Sequence, residues 1–247
     1  MQIKYMKAIV PAQECYFKVP AVAFAPNNQK LAAATADRVI ILFDEMGEKR
    51  DKFSTKPIDA KYGKKSYVIR GIAFSPDSTK LAVGQSDNIV FVYKIGDGWN
   101  DKKVICNKFV QQSSVTCMIW PSDVGIVCGL VDGKVRLANV KTNKSSTIYG
   151  TGVLVVSLAT GPGGKSFLSG HADGSVAKII SHTCAPYCLL WTPNAIVASG
   201  CDRRITSYSQ EGKLLQQFDY SRDDTEKEFC CSASNSPGTS ILFGSFN

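Results

Sequence analysis

The chain has 247 residues, 44% of them apolar and 20% charged, a balance that excludes a disordered polyelectrolyte and allows a sizeable core. Its formal charge of +8 suits an acidic partner, nucleic acid or an anionic membrane surface, without bearing on fold. No stretch approaches the roughly 20 apolar residues of a spanning helix, and Met1 to Lys7 leads into no signal-peptide apolar run, so the chain reads as soluble and intracellular.

In chain order, the first strong signal is a repeat. Ala21-Val22-Ala23-Phe24-Ala25-Pro26-Asn27-Asn28-Gln29-Lys30-Leu31-Ala32 lies over Gly71-Ile72-Ala73-Phe74-Ser75-Pro76-Asp77-Ser78-Thr79-Lys80-Leu81-Ala82 at an offset of 50 without a gap. Ala23, Phe24, Pro26, Lys30, Leu31 and Ala32 are identical in the two copies. Each copy reads as an apolar strand, a proline turn, a second strand of small apolar residues, a polar turn centred on aspartate, and a third strand. That third strand, Arg38 to Phe43 in the first copy, is β-branched and aromatic.

Fainter copies follow. Thr116 to Pro121 leads to Cys128 to Leu137, Val155 to Leu158 to Leu168 to Val176, and Cys188 to Pro193 to Ala198 to Ile205. The last copy, Phe229 to Ser232, reaches Phe243 to Asn247. The turn residue recurs at Asp37, Asp87, Asp132, Asp173, Asp202 and Asn247, in steps of 50, 45, 41, 29 and 45. Most steps lie near the ~40–45 residues of a WD40-type blade, so the sequence predicts an all-β propeller of degenerate repeats with blades near 11–57, 66–110, 113–150, 153–180, 186–218 and 228–247.

The step of 29 leaves too little chain for a fourth strand, which predicts that residues are missing between 180 and 181. The sixth blade stops at its third strand, so an open ring is expected, with more chain after Asn247 and an outer strand from Tyr5 to Val10.

Candidate chemistry is sparse. Gly161-Pro162-Gly163-Gly164-Lys165-Ser166 ends like a phosphate-binding loop, but Ala159 stands where that pattern needs glycine and a strand follows instead of a helix, so a hairpin turn is expected. His182, Cys184 and Cys188 crowd soft ligands together, yet a strand through Pro186 to Trp191 would turn alternate residues to opposite faces, leaving a buried cysteine and a loop histidine. Nine cysteines in apolar runs read as small buried hydrophobes and not as a disulfide framework. The turn aspartates are expected to bond their own turns, and His171 to bond within its own hairpin. No catalytic residue, cofactor or metal site is expected.

Positive residues fall in the longer connections: Lys49, Arg50, Lys52, Lys56, Lys61, Lys64, Lys65 and Arg70 are the first candidates for a partner-binding rim, with Lys102, Lys103 and Lys108 beyond. Glu45, Glu48, Asp51 and Asp59 interleave with them, which disfavours a phosphate track.

Along its whole length the chain resembles the N-terminal propellers of the largest subunit of intraflagellar transport complex B. The resemblance is most specific in Asp44 to Pro57 and Gly71 to Gly96, with further matches in Lys103 to Phe109, Gly133 to Gly150, Gly200 to Arg203 and Phe218 to Asp223. It implies a non-enzymatic scaffold at the periphery of trains that motors carry along ciliary microtubules, residing in cytoplasm and cilium. It also implies contacts to other complex B subunits, including one with a calponin-homology domain, and no small-molecule substrate. A nucleic-acid-binding propeller and a membrane-coat subunit with direct membrane contact stand as alternatives. Two departures from the generic repeat stand out: the tryptophan–aspartate pair is reduced to Phe43-Asp44 and Tyr93-Lys94, and the glycine–histidine pair before each blade is missing. Apolar packing is therefore expected to replace hydrogen-bond networks between blades.

Overall fold

The computed structural model describes residues 8–9, 18–58, 66–99, 101–122, 125–176, 179–222, 225, 227–235 and 237–245. Among them, consecutive strands pair into antiparallel sheets in plain chain order. The first sheet is β1 (Ala21–Phe24), β2 (Leu31–Ala34), β3 (Val39–Phe43) and β4 (Lys49–Ser54). The second is β5 (Ile69–Phe74), β6 (Lys80–Gln85), β7 (Ile89–Lys94) and β8 (Val104–Val110). The third is β9 (Val115–Ser122), β10 (Gly125–Leu130), β11 (Lys134–Asn139) and β12 (Lys144–Gly150). The fourth is β13 (Val155–Thr160), β14 (Phe167–His171), β15 (Ser175–Val176) and β16 (Ile180–Ser181). The fifth is β17 (Cys188–Trp191), β18 (Ile196–Ser199), β19 (Arg204–Tyr208) and β20 (Leu214–Asp219). The sixth holds β21 (Phe229–Ser234) and β22 (Ile241–Ser245) alone.

The sequence repeat at an offset of 50 is a structural repeat at the same offset. Phe24 pairs with Leu31 and Leu31 with Phe43, as Phe74 pairs with Leu81 and Leu81 with Tyr93. The proline turns match bond for bond: the Ala25 amide donates to Lys30 O at 2.8 Å and the Ser75 amide to Lys80 O at 2.9 Å. Asn28 and Ser78 take the same left-handed conformation, with φ of 59° and 62°. The residue after each described turn aspartate is also left-handed: Arg38 at 70°, Asn88 at 68°, Gly133 at 81°, Gly174 at 87° and Arg203 at 57°. One backbone turn is thus written five times in different residues.

The chain divides into two compact units, residues 1–128 with 136–146, and residues 129–135 with 147–247. In the first, the inner and middle strands supply the core: Ile40, Leu42, Ile69, Leu81, Val83, Ile89 and Tyr93 are buried in one cluster. Strands β6 and β7 are buried on both faces nearly throughout, so they read as apolar runs without alternation. In the second unit, Ala159, Leu168, Val176, Ile180, Leu189, Ile196 and Tyr208 form the corresponding cluster.

Three expectations need correction. The short fourth step does accommodate a fourth strand, by cutting β15 and β16 to two residues each, with Val176 opposite Ile180. The fifth sheet opens at Cys188, not Pro186, since Tyr187 bonds back to Ala185 before the strand begins. Hydrogen bonds also join consecutive repeats. Lys30, 5% exposed, sends its ammonium to the carbonyls of Gly96 and Asp97 at 2.8 and 2.9 Å, over the Trp99 ring. Thr55 Oγ1 meets Tyr67 Oη at 2.8 Å, and Ser157 Oγ donates to Pro186 O at 2.5 Å. These are lone local bonds in place of one recurring network. Residues 5–7, residue 10 and Asn247 lie outside the described residues, and with them most of the Tyr5 to Val10 outer strand and the last turn position.

Candidate functional site: a basic outer strand and a histidine, cysteine and aspartate cluster

Lys49, Arg50 and Lys52 lie on the outer strand β4, not in a connection as their charge density suggested. Alternation along the strand decides what each does. Asp51 and Phe53 turn inward, Asp51 to the Lys103 ammonium at 2.8 Å and Phe53 to the Tyr93 ring at 4.9 Å between centroids. The intervening Arg50 and Lys52 are exposed, as is Lys49. Arg50 Nε donates to Asp44 at 2.6 Å. Burial opposes the charge on Asp44, but the Glu48 amide and the Arg50 guanidinium outweigh it and hold its carboxyl below the ordinary range. Lys56 and Arg70 are exposed as well; Lys61, Lys64 and Lys65 lie outside the described residues.

The turn aspartates divide into two kinds. Asp132, Asp173 and Asp202 each accept the amide two residues on, at 3.2, 3.0 and 3.2 Å, closing their own turns. Asp37 accepts from Thr35 Oγ1. Asp87 departs from expectation: its Oδ2 accepts the Ile58 amide at 2.8 Å and so ties the connection from the first sheet to the second. The Gly161 to Ser166 segment is a one-turn 3-10 hairpin in which the Gly161 amide donates to Ser166 O and the Gly164 amide to Gly161 O, before β14 begins.

His171 reaches outside its own hairpin. Its Nδ1 lies 3.1 Å from both Val153 O and Thr151 Oγ1, and its Nε2 lies 2.9 Å from Ser169 Oγ, which also meets Tyr149 Oη. A carbonyl only accepts, so Nδ1 carries the proton and donates to Val153, and Nε2 accepts from Ser169. Ser169 then accepts from Tyr149. The fully buried imidazole is satisfied at both nitrogens.

His182 is the other histidine, and it is 4% exposed instead of lying free in a loop. Its Nδ1 is 2.8 Å from Tyr208 Oη, its amide donates to Gly174 O at 2.9 Å, and its Nε2 is buried without a hydrogen-bond partner among the described residues. The ligand atoms of His182, Cys184 and Asp202 lie within 4.8 Å of one another. Burial, opposed by the Asp202 charge, lowers the basicity of the His182 imidazole. Burial, with the neighbouring Asp202 carboxylate, pushes the Cys184 thiol up to about 12. Sequence reading grouped His182 and Cys184 with Cys188, but Cys188 is buried on β17, where the pairing strand carries it elsewhere. Asp202, eighteen residues beyond Cys184, is the missing third member, and only its recurrence as a turn aspartate marked it. The described cysteines are free thiols, buried at Cys128 and Cys188 but exposed at Cys106, Cys201 and Cys231, against the expectation of uniform burial.

An apolar cleft of about 360 Å³, lined by Val197, Ile205, Phe218, Tyr220, Ile241 and Phe243 among others, was not foreseen. It exists because four-stranded and two-stranded sheets meet there, so the outer half of the fifth sheet lacks cover among the described residues.

Chain-ordered antiparallel sheets with one repeated aspartate turn define a β-propeller of WD40-type repeats, and residues 11–44 and 56–94 match the WD domain, G-beta repeat family. The whole chain aligns at 55% identity over 261 positions with the intraflagellar transport protein 172 homolog of Mus musculus, and at 44% over 257 and 268 positions with intraflagellar transport protein osm-1 of Caenorhabditis elegans and intraflagellar transport protein 172 of Chlamydomonas reinhardtii. The chain is thus similar over its whole length to one part of the intraflagellar transport protein 172 relatives, and it spans about 15% of their length.

Proposed function

We propose that the chain is a non-enzymatic docking scaffold in a ciliary transport assembly, a peripheral subunit of intraflagellar transport complex B found in cytoplasm and cilium. The observation that carries the reading is the alignment of all 247 residues with proteins named for intraflagellar transport, at 44% identity or more in relatives as distant as an alga and a nematode. The fold suits the role: rigid sheets hold turns and outer strands in fixed positions, and binding rests on those surfaces with little reorganisation.

The docking surface of first choice is the outer strand of the first sheet. Lys49, Arg50 and Lys52 are held in register by pairing with β3 and by the inward anchors Asp51 and Phe53, so they meet an acidic partner surface as a preformed strip. Partners are other complex B subunits, among them the calponin-homology-domain subunit. A long phosphate track is disfavoured because Asp44 already engages Arg50. The alignments run over more positions than the chain has residues, so relatives carry extra residues along this stretch, and the shortness of β15 and β16 supports placing some of them near 180 and 181.

The test is recovery of complex B subunits from ciliated-cell extract by the wild-type chain and by the triple variant Lys49→Glu, Arg50→Glu, Lys52→Glu. Recovery several-fold lower for the variant, with unchanged melting, supports the strip as a docking surface. Equal recovery removes it.

A further inference from the structure

We propose that His182, Cys184 and Asp202 form a zinc site that staples the loop after β16 to the β18–β19 turn of the fifth sheet. The three ligand atoms already lie within 4.8 Å of one another, and they come from two separate turns that meet through the hydrogen bond from Thr183 Oγ1 to the Asp202 carboxylate. In a tetrahedral zinc site with bonds of roughly 2.0 to 2.3 Å, ligand atoms stand about 3.4 Å apart. Closing onto an ion therefore asks for side-chain adjustments of about an ångström.

Each member is prepared for the role. The His182 ring is buried, its Nδ1 is fixed by the Tyr208 hydroxyl at 2.8 Å, and its Nε2 has no hydrogen-bond partner among the described residues. A hydrogen bond that orients one ring nitrogen while the other takes the metal is the usual arrangement around a ligating histidine. Cys184 Sγ donates a long contact to Ala185 O at 3.7 Å, which a metal-bound thiolate gives up at little cost. The Asp202 carboxylate is positioned by the Arg204 amide at 3.2 Å and by the Thr183 hydroxyl, and each oxygen keeps a lone pair for a metal. A neutral imidazole, one thiolate and one carboxylate balance Zn²⁺ without net charge, and the thiol proton leaves to solvent when the Zn–S bond forms. The fourth position is open to water.

The fold gives such an ion something to do. Strands β15 and β16 have two residues each, so the outer half of the fourth sheet is held by few ladder bonds just before His182. A metal bound by the folded state and not by the unfolded chain adds stability by mass action.

The experiment strips the reduced full chain with a chelator and titrates it with Zn²⁺ by calorimetry, with Co²⁺ as the spectroscopic probe. One equivalent per chain, a thiolate-to-cobalt charge-transfer band and a zinc-dependent rise in Tm are expected for the wild type. Cys184→Ser abolishes the band and weakens zinc at least tenfold, Asp202→Asn weakens it similarly, and Cys188→Ser, a neighbouring thiol outside the cluster, changes neither. Chelated wild type and chelated Cys184→Ser are compared by circular dichroism, so a folding defect in the variant is separated from a lost ligand. If the wild type takes up no stoichiometric zinc, or if Cys184→Ser binds it as tightly and keeps the band, the site is refuted.

Discussion

The repeated left-handed turn gives a sharp test of how backbone geometry, and not residue type, fixes this fold. Replace Gly133 with alanine. Its φ of 81° costs an L-residue about 1–2 kcal/mol. A Cβ there would also stand 2.5 Å from Val153 N and 2.7 Å from Gly152 C, both backbone atoms that cannot swing away. Overpacking against such a wall adds roughly 1–3 kcal/mol, for a total near 3 kcal/mol. Gly152→Ala is the built-in control, because Gly152 has φ of 77° but nothing within 4 Å of the added Cβ. It should cost only the conformational part, about 1 kcal/mol. For a chain of this size each kcal/mol moves Tm by roughly 2–4 °C, so thermal melts should show a fall of roughly 6–12 °C for Gly133→Ala and roughly 2–4 °C for Gly152→Ala. Arg38, Asn88 and Arg203 already carry side chains at equivalent φ, which agrees with a modest conformational cost where the neighbours leave room. Equal shifts for the two variants would falsify the close-approach argument.

Three further outcomes follow from the same contacts. Lys30→Met keeps the stem but strands the Gly96 and Asp97 carbonyls, and should lower stability by roughly 1–3 kcal/mol in denaturant melts. Tyr149→Phe removes the first donor of the chain that ends at His171, for roughly 0.5–1.5 kcal/mol, while His171→Ala opens a buried void as well and should cost more. Burial opposes ionisation of Asp77, but the Ser75 hydroxyl and the Thr79 amide and hydroxyl, with Lys80 nearby, bring its pKa from 3.8 down to about 2. A depressed folded-state value means its stabilisation is complete above about pH 4 and is lost as pH falls toward 2. The side chain is half exposed, so the effect should stay under ~1 kcal/mol, visible as a shallower acid dependence in Asp77→Asn.

What was legible in the sequence was local. The proline turn and the aspartate turn are each closed by bonds spanning two to five residues, so an offset of 50 in sequence became an offset of 50 in register, from Leu31 with Phe43 to Leu81 with Tyr93. What escaped was set by contacts between repeats. Asp87 looks like its sister aspartates but bonds Ile58, because the connection from the first sheet passes over it. His171 bonds Val153, at the very start of its repeat, and Thr151, in the connection just before it, which spacing alone does not bring to the end of β14. Asp202 joins His182 and Cys184 only after the shortened β15 and β16 bring the following loop back over the next turn. The basic strip was found by charge, yet its placement on β4 needed strand alternation, since Lys49 to Lys52 is too polar to read as a strand from composition. Each miss has the same cause: spacing encodes a turn, whereas a site assembled from two turns depends on how sheets sit side by side.

The most direct test of the scaffold reading is to tag the protein in ciliated cells, capture it under native conditions, and quantify by mass spectrometry what comes with it. Intraflagellar transport complex B subunits are expected in stable proportion, retained at moderate salt. Recovery of RNA-binding or membrane-coat proteins with no complex B subunit would contradict it.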